Sequence, residues 1–204
     1  MKKSLCLTIA ALLSLGIASS AEAKSRSSAK TEMFDANGKS LGKIQFTKNK
    51  DGVLVKADLK ADSGVLATGF HGFHIHAGTE CVAPFTTALS HFEKGTDTDH
   101  KDHNGDMPVL LVNPVTEKNQ ANKGRAFTTF VTNRFTIDDL FDDSGKGRAV
   151  IIHAAADNFA NIPTRYAITS TSAEGAVSIV STGPDSSSKG AGDAGTRIAC
   201  GIIK

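Results

Sequence analysis

Lys43-Ile44-Gln45-Phe46-Thr47 and, a short polar stretch later, Asp51-Gly52-Val53-Leu54-Val55-Lys56-Ala57-Asp58-Leu59-Lys60 decide the fold. Ile44 and Phe46 alternate with polar neighbours, and Val53, Val55, Ala57 and Leu59 alternate with Leu54, Lys56, Asp58 and Lys60. Successive side chains on a strand point to opposite faces, so a period of two marks a sheet with one buried face. Asp51-Gly52 between the two runs is a strong hairpin signal. Residues 69–76, 109–112, 126–132, 148–153 and 197–203 read as further strands. Only residues 136–141 read as helical, with Thr136 and Asp139 at the spacing of a short capping box. Many short strands with Gly-rich turns predict an all-β chain, a Greek-key β-sandwich or flattened barrel of about eight antiparallel strands.

Composition narrows the class. The chain has 204 residues, 40% hydrophobic and 22% charged, which fits a folded domain with a real core. Its 23 basic and 21 acidic side chains leave a net charge of +2, too small an excess to support a nucleic-acid partner through phosphate neutralisation. Lys2 and Lys3, the apolar run over residues 5–17 and Ala21-Glu22-Ala23 have the layout of a secretory signal peptide, residues 1–23. That run is shorter than the about 20 apolar residues needed to span a bilayer. The expected products are a periplasmic or secreted protein with no membrane attachment after cleavage, a flexible polar leader at 24–31 and one domain at 32–204. Cys6 leaves with the signal, so Cys81 and Cys200 remain and, in an oxidising compartment, suggest one disulfide. Cys81 and Cys200 are 119 residues apart, and closing a loop of that length contributes about 4–5 kcal/mol in the chain-entropy model.

Two connections, residues 77–106 and 154–196, are long enough to be functional. Histidines concentrate around the first. His74 and His76 flank Ile75 on a strand, so both imidazoles lie on one face. Alone, that pair is better read as two solvent-facing strand histidines. His91, His100, His103 and Asp106 follow in a polar loop, and His153 ends an apolar strand where, by itself, it reads as a core histidine. Three His with one Asp suit a closed tetrahedral zinc set, whereas four His without a thiolate suit an open tetragonal copper site. One histidine can serve two ions because its ring has two nitrogens.

Taken in order, Gly69-Phe70-His71-Gly72-Phe73-His74-Ile75-His76, Ser90-His91-Phe92, His103-Asn104-Gly105-Asp106, Val150-Ile151-Ile152-His153, Ala156-Asp157 and Gly192-Asp193-Ala194-Gly195-Thr196-Arg197-Ile198-Ala199-Cys200-Gly201 resemble the copper-zinc superoxide dismutase family, in its bacterial exported form. The resemblance implies conversion of superoxide to dioxygen and hydrogen peroxide, as antioxidant defence outside the cytoplasm. It implies copper held by His74, His76, His91 and His153, and zinc held by His91, His100, His103 and Asp106. Asp157 would join His74 to His100, Arg197 would guide the anion, and His91 would relay a proton. His71 is left as structural. It also implies a Cys81–Cys200 bridge beside Arg197 and allows a homodimer. Taken singly, Asp157 has the alternative reading of an ordinary turn aspartate next to Asn158, and Arg197 without its Ala-Cys-Gly context is better read as a surface salt-bridging arginine. The chain departs from the family pattern in the close spacing of His100 and His103, in Leu89-Ser90 before His91, and in a longer connection that contains Arg165 and Tyr166. The alternative from another class is a non-catalytic exported copper- or zinc-binding protein on the same fold.

Overall fold

The hairpin at Asp51-Gly52 forms as read: Asn49 pairs with Gly52, Phe46 with Val55 and Ile44 with Ala57 along β2 (Ser40–Asn49) and β3 (Gly52–Ala61). The inward row Ile44, Phe46, Val53, Val55, Ala57 and Leu59 is fully buried, and each large member contributes about 1.5–3 kcal/mol of burial free energy. The molecule is known from a computed structural model that describes residues 25–61, 64–95, 99–115 and 124–204. The expected signal segment, residues 1–23, lies outside them.

The other strands are β1 (Ser28–Asp35), β4 (Gly69–His71), β5 (Phe73–His76), β6 (Leu110–Pro114), β7 (Gly124–Thr132), β8 (Ala149–His153), β9 (Ala167–Thr171), β10 (Val177–Thr182) and β11 (Arg197–Ile202). Among the described residues, nine of the eleven strands, β2 and β3 included, form one antiparallel sheet in the order β4-β6-β7-β3-β2-β1-β11-β8-β5, and β9 and β10 pair separately. The last strand returns to lie beside the first, which makes β11-β1-β2-β3 a Greek key. β4 and β5 stand at opposite ends of that order, yet only Gly72 separates them in sequence, so the sheet curls into a nearly closed, flattened barrel. The single strand read over 69–76 is therefore two. Gly72 is the joint, since a Cβ there would meet Ala194 Cβ at 2.6 Å.

β5 and β8 are buried along their whole length. Phe73, Ile75, Val150 and Ile152 face the barrel core, while Ala149 and Ile151 pack with Phe85, Ala88 and Cys200 under the loop after β5. The outward faces of these two strands are thus covered by loops rather than by water, and the histidines stand there.

Three expectations are corrected. Residues 28–31, expected to be part of a flexible leader, belong to β1, with Ala29 and Thr31 buried. Alanine and threonine are too small and mixed in polarity to announce a core face. The 154–196 connection carries a β9–β10 hairpin and a short helix, α1 (Ser186–Ala191). Its Ser/Thr-rich strands sustain no period of two, since Val180 follows Ile179 directly. Residues 136–141 contain only one 3₁₀ turn, Asp138–Leu140, although the reciprocal Thr136–Asp139 cap is present. Among the described residues, no helix is long and apolar enough to cross a membrane.

Candidate metal centre

His74 and His76 project from β5 to the side away from the core, and His153, the last residue of β8, reaches the same place. His91 is brought against them by a backbone bridge to His76, and Asp106 by one to His74. Ring centroids lie 4.1 Å apart for His74–His91, 4.7 Å for His76–His91 and 4.9 Å for His74–His153. Two four-residue groups result: His74, His76, His91 and His153, and His91, His100, His103 and Asp106. Within each, the potential ligand atoms lie within 4.8 Å of one another. His91 belongs to both.

Hydrogen bonds decide which nitrogen each ring presents. His76 Nδ1 donates to Leu89 O at 2.9 Å, and His153 Nδ1 to Gly195 O at 2.9 Å. His74 Nε2 meets Asp157 Oδ2 at 2.6 Å, and His91 Nδ1 lies 2.8 Å from Asp106 Oδ1. The atoms left over, His74 Nδ1 and Nε2 of His76, His91 and His153, converge in the first group, buried and without a hydrogen bond. A buried polar atom without a partner costs about 1–3 kcal/mol, so four pointing at one place fit a bound cation and little else. In the second group, His100 Nδ1 lies 3.2 Å from Asp106 Oδ1 and His103 Nδ1 3.4 Å from Asp106 Oδ2, a compact N₃O donor set. Both groups fit metal ions of the copper and zinc type.

Asp157 spans the two groups, with Oδ2 on His74 and Oδ1 on His100 Nε2 at 2.7 Å. A carboxylate on the far nitrogen fixes both tautomer and ring orientation. Burial is the main influence on the first group. It lowers His74 to about 3 and His153 to about 4 and takes His76 well below the ordinary histidine value, so these rings are neutral donors at pH 7. Burial acts on His100 in the same direction, but hydrogen bonds and charge from Asp106 and Asp157 prevail and raise it to about 9. Asp157 sits below the usual carboxylate range despite its burial, because His100 and His74 hydrogen-bond to it.

Arg197 opens β11 opposite His153. Its Nη1 donates to Phe85 O at 2.6 Å and its Nη2 to Leu89 O at 2.5 Å. Leu89 O is also the acceptor of His76 Nδ1, so the guanidinium stands beside the first group. The loop supplying those carbonyls is tied to β11 by the Cys81–Cys200 disulfide, whose sequence separation is 119 residues. His71 stands apart from both groups, with Nδ1 2.7 Å from His153 O and Nε2 2.8 Å from Ala67 O, a structural position.

The seven expected ligand residues and Asp157 thus come together in the two groups and their link, with Arg197 beside the first group and His71 apart, while Arg165 and Tyr166 lie exposed before β9. Others were not read. The Leu89 and Gly195 carbonyls orient ligand rings, and a carbonyl has no side-chain signature. Leu89 holds φ 62° and ψ −154°, a region essentially reserved for glycine. Arg134 Nη1 donates to His103 O at 3.0 Å, and Lys101 N to Asp106 Oδ2 at 2.9 Å. Phe159 stacks on His100 with an interplanar angle of 3° and donates its N–H to Asp157 Oδ1. The Asp-Asn-Phe sequence after the Asp157 motif was the only available hint.

A flattened Greek-key barrel carrying two histidine-rich metal-type sites that share one imidazole defines a class of dinuclear metalloprotein. Residues 40–203 match the family described as copper/zinc superoxide dismutase. The chain belongs to that family. It is 39% identical over 153 residues to a copper-zinc superoxide dismutase of Mycolicibacterium paratuberculosis, covering 69% of this chain and 59% of that relative's length. It is 28% identical over 212 residues to one of Escherichia coli K12, covering 95% of this chain and 96% of that one. The solved Cu/Zn superoxide dismutase from Brucella abortus superposes with a TM-score of 0.58 at 23% identity, over 87% of this chain and 99% of that one. At that identity the superposition speaks for the fold, and the donor sets above speak for the chemistry.

Proposed function

We propose that this protein is an exported superoxide dismutase, in which two superoxide anions and two protons become dioxygen and hydrogen peroxide. The observation that carries this is His91: its Nε2 faces the first group without a hydrogen bond, while its Nδ1 lies in the second. His74, His76, His91 and His153 would hold copper, and His91, His100, His103 and Asp106 would hold zinc. Copper held there would supply the one-electron couple that dismutation requires, and zinc held by the second group would fix the shared ring.

The remaining work belongs to side chains. The Arg197 guanidinium attracts the small anion and orients it toward the first group, and its two carbonyl contacts hold it in place before substrate arrives. His91 Nε2 is the atom placed to take up a proton and deliver it to the departing peroxide. Asp106 and the second group keep that ring from rotating away while it does so. Asp157 holds His74 and His100 in register. The signal-like start of the sequence and the disulfide support a periplasmic or secreted location, where thiols oxidise.

The test is metal quantification on purified residues 24–204, with superoxide dismutation assayed before and after copper loading. One copper and one zinc per chain with activity is the expected result. Activity with copper alone corrects the zinc assignment, and stoichiometric metal without activity overturns the enzyme in favour of a non-catalytic exported metal-binding protein.

A further inference from the structure

The second group stands on a loop with little structure of its own, yet its ligands are buried. His100 has no exposure and His103 9%. The support comes from α1. The His100 N–H donates not to its own loop but to the carbonyl of Lys189, at 2.9 Å. Gly192, which caps α1 at φ 59°, packs directly on the Asp157–His100 hydrogen bond. A Cβ there would run into Asp157 Oδ1 and come within 2.6 Å of His100 Nε2. The next backbone hydrogen bond in the network, Asn158 N–H to Gly192 O at 2.9 Å, ties the same turn to the neighbour of Asp157.

α1 cannot hold this position by itself. It is six residues long, Ser-Ser-Ser-Lys-Gly-Ala, a length and composition far below what makes an isolated helix stable. Asp185 caps its start through Ser187 N and Ser188 N, each at 3.0 Å. Its end is fixed by Asp193, whose Oδ2 accepts from Ser188 Oγ at 2.5 Å and from Asn158 Nδ2 at 2.6 Å. Asp193 does this from a left-handed backbone, φ 54°, which few residues other than glycine, asparagine and aspartate tolerate. Ser188 is 2% exposed, so its hydroxyl has that carboxylate as its outlet in place of water.

We infer that Asp193 is a positioning residue for the second metal site. Through Ser188 it anchors the helix that carries the Lys189 carbonyl, and through Asn158 it anchors the stretch that carries Asp157. Both ends of the His100 ring's support therefore end on one carboxylate. The 154–196 connection in this way supplies the rigidity that the short His100–His103 spacing cannot. This rests on the proposed function only in taking the second group as a metal site.

The test uses cobalt(II), whose visible d–d bands report tetrahedral coordination, titrated into the full mature protein after copper(II) has filled the first group. Asp193→Ala and Ser188→Ala are expected to bind cobalt about 10–100-fold more weakly, with altered band intensities, while copper uptake and the far-ultraviolet circular dichroism stay as in the parent. Asp193→Asn is expected to restore most of the affinity, because an amide oxygen can accept the same two hydrogen bonds and asparagine tolerates the left-handed backbone. Folded Asp193→Ala and Ser188→Ala proteins with parental cobalt affinity and spectrum would overturn the inference. So would an Asp193→Asn protein as weak as Asp193→Ala. Should Asp193→Ala not fold, Ser188→Ala decides on the same criteria. A parent protein that takes copper but shows no tetrahedral cobalt spectrum overturns the second site itself and this inference with it. Parental cobalt binding that the variants leave unchanged overturns the positioning role alone.

Discussion

The two histidine groups share His91 but are built from different material. Three members of the first, His74, His76 and His153, stand on β5 and β8, whose opposite faces are Phe73, Ile75, Val150 and Ile152 in the barrel core. Three members of the second, His100, His103 and Asp106, stand on a loop pinned from outside by α1, Arg134 and Asp157. The first geometry is therefore bought with the stability of the whole barrel, whereas the second is held by local hydrogen bonds. A ligand on a strand is positioned as well as the core is packed; a ligand on a loop is positioned only as well as its neighbours are.

The sharpest way to break the comparison is His153→Ala. Dismutation should fall to background and copper binding should weaken, while the barrel still melts cooperatively. Full activity with stoichiometric copper would sink the assignment of the first group. Next in size is the disulfide. Cys81→Ser with Cys200→Ser should cost about 4–5 kcal/mol in urea denaturation of the metal-free protein, the chain-entropy value for a loop this long. The Arg197-bearing region should loosen with it. Arg197→Ala should keep its copper and lose about 10–100-fold in rate, along with most of the dependence of the rate on ionic strength. An unchanged rate in a stopped-flow assay would return Arg197 to a structural role.

A pH series separates the two groups. His74 and His153 have folded values lowered to about 3 and about 4, below the unfolded value of 6.5, so the unfolded chain takes up protons that the folded site refuses. The metal-free protein should lose stability as pH falls from 6.5 toward that range. His100 is the reverse. Its value is raised to about 9, so its stabilising contribution is complete below pH 6.5 and fades as pH rises through 9. Melting temperatures of metal-free protein across pH 4–10 should show both slopes, and His100→Gln should remove only the alkaline one.

How much of this could be read from the chain follows the same division. The β2–β3 alternation, His74-x-His76 and the apolar run ending at His153 were legible because strand periodicity projects directly onto space. The break at Gly72 was not, since a glycine inside a strand-like run does not reveal a change of pairing partner. Residues 28–31 escaped because their alternation is among small or polar side chains, and the β9–β10 hairpin because Val177, Ile179 and Val180 do not sustain a period of two and stay exposed. The donor residues of the second group were legible as a cluster, but their supports were not. Lys189 acts through its carbonyl, Gly192 through the absence of a side chain and Asp193 through partners 5 and 35 residues away.

The Leu89 carbonyl has a further consequence. One peptide oxygen receives both the His76 ring and the Arg197 guanidinium, from a backbone conformation costly to any residue but glycine. Ligand orientation and anion guidance therefore hang on a common pivot. Changes at His76 and Arg197 should combine non-additively, each altering the load that the other places on that peptide plane. Selection acting on how fast substrate is captured would also act, through the same atom, on how firmly the metal is held, so neither trait is free to drift alone.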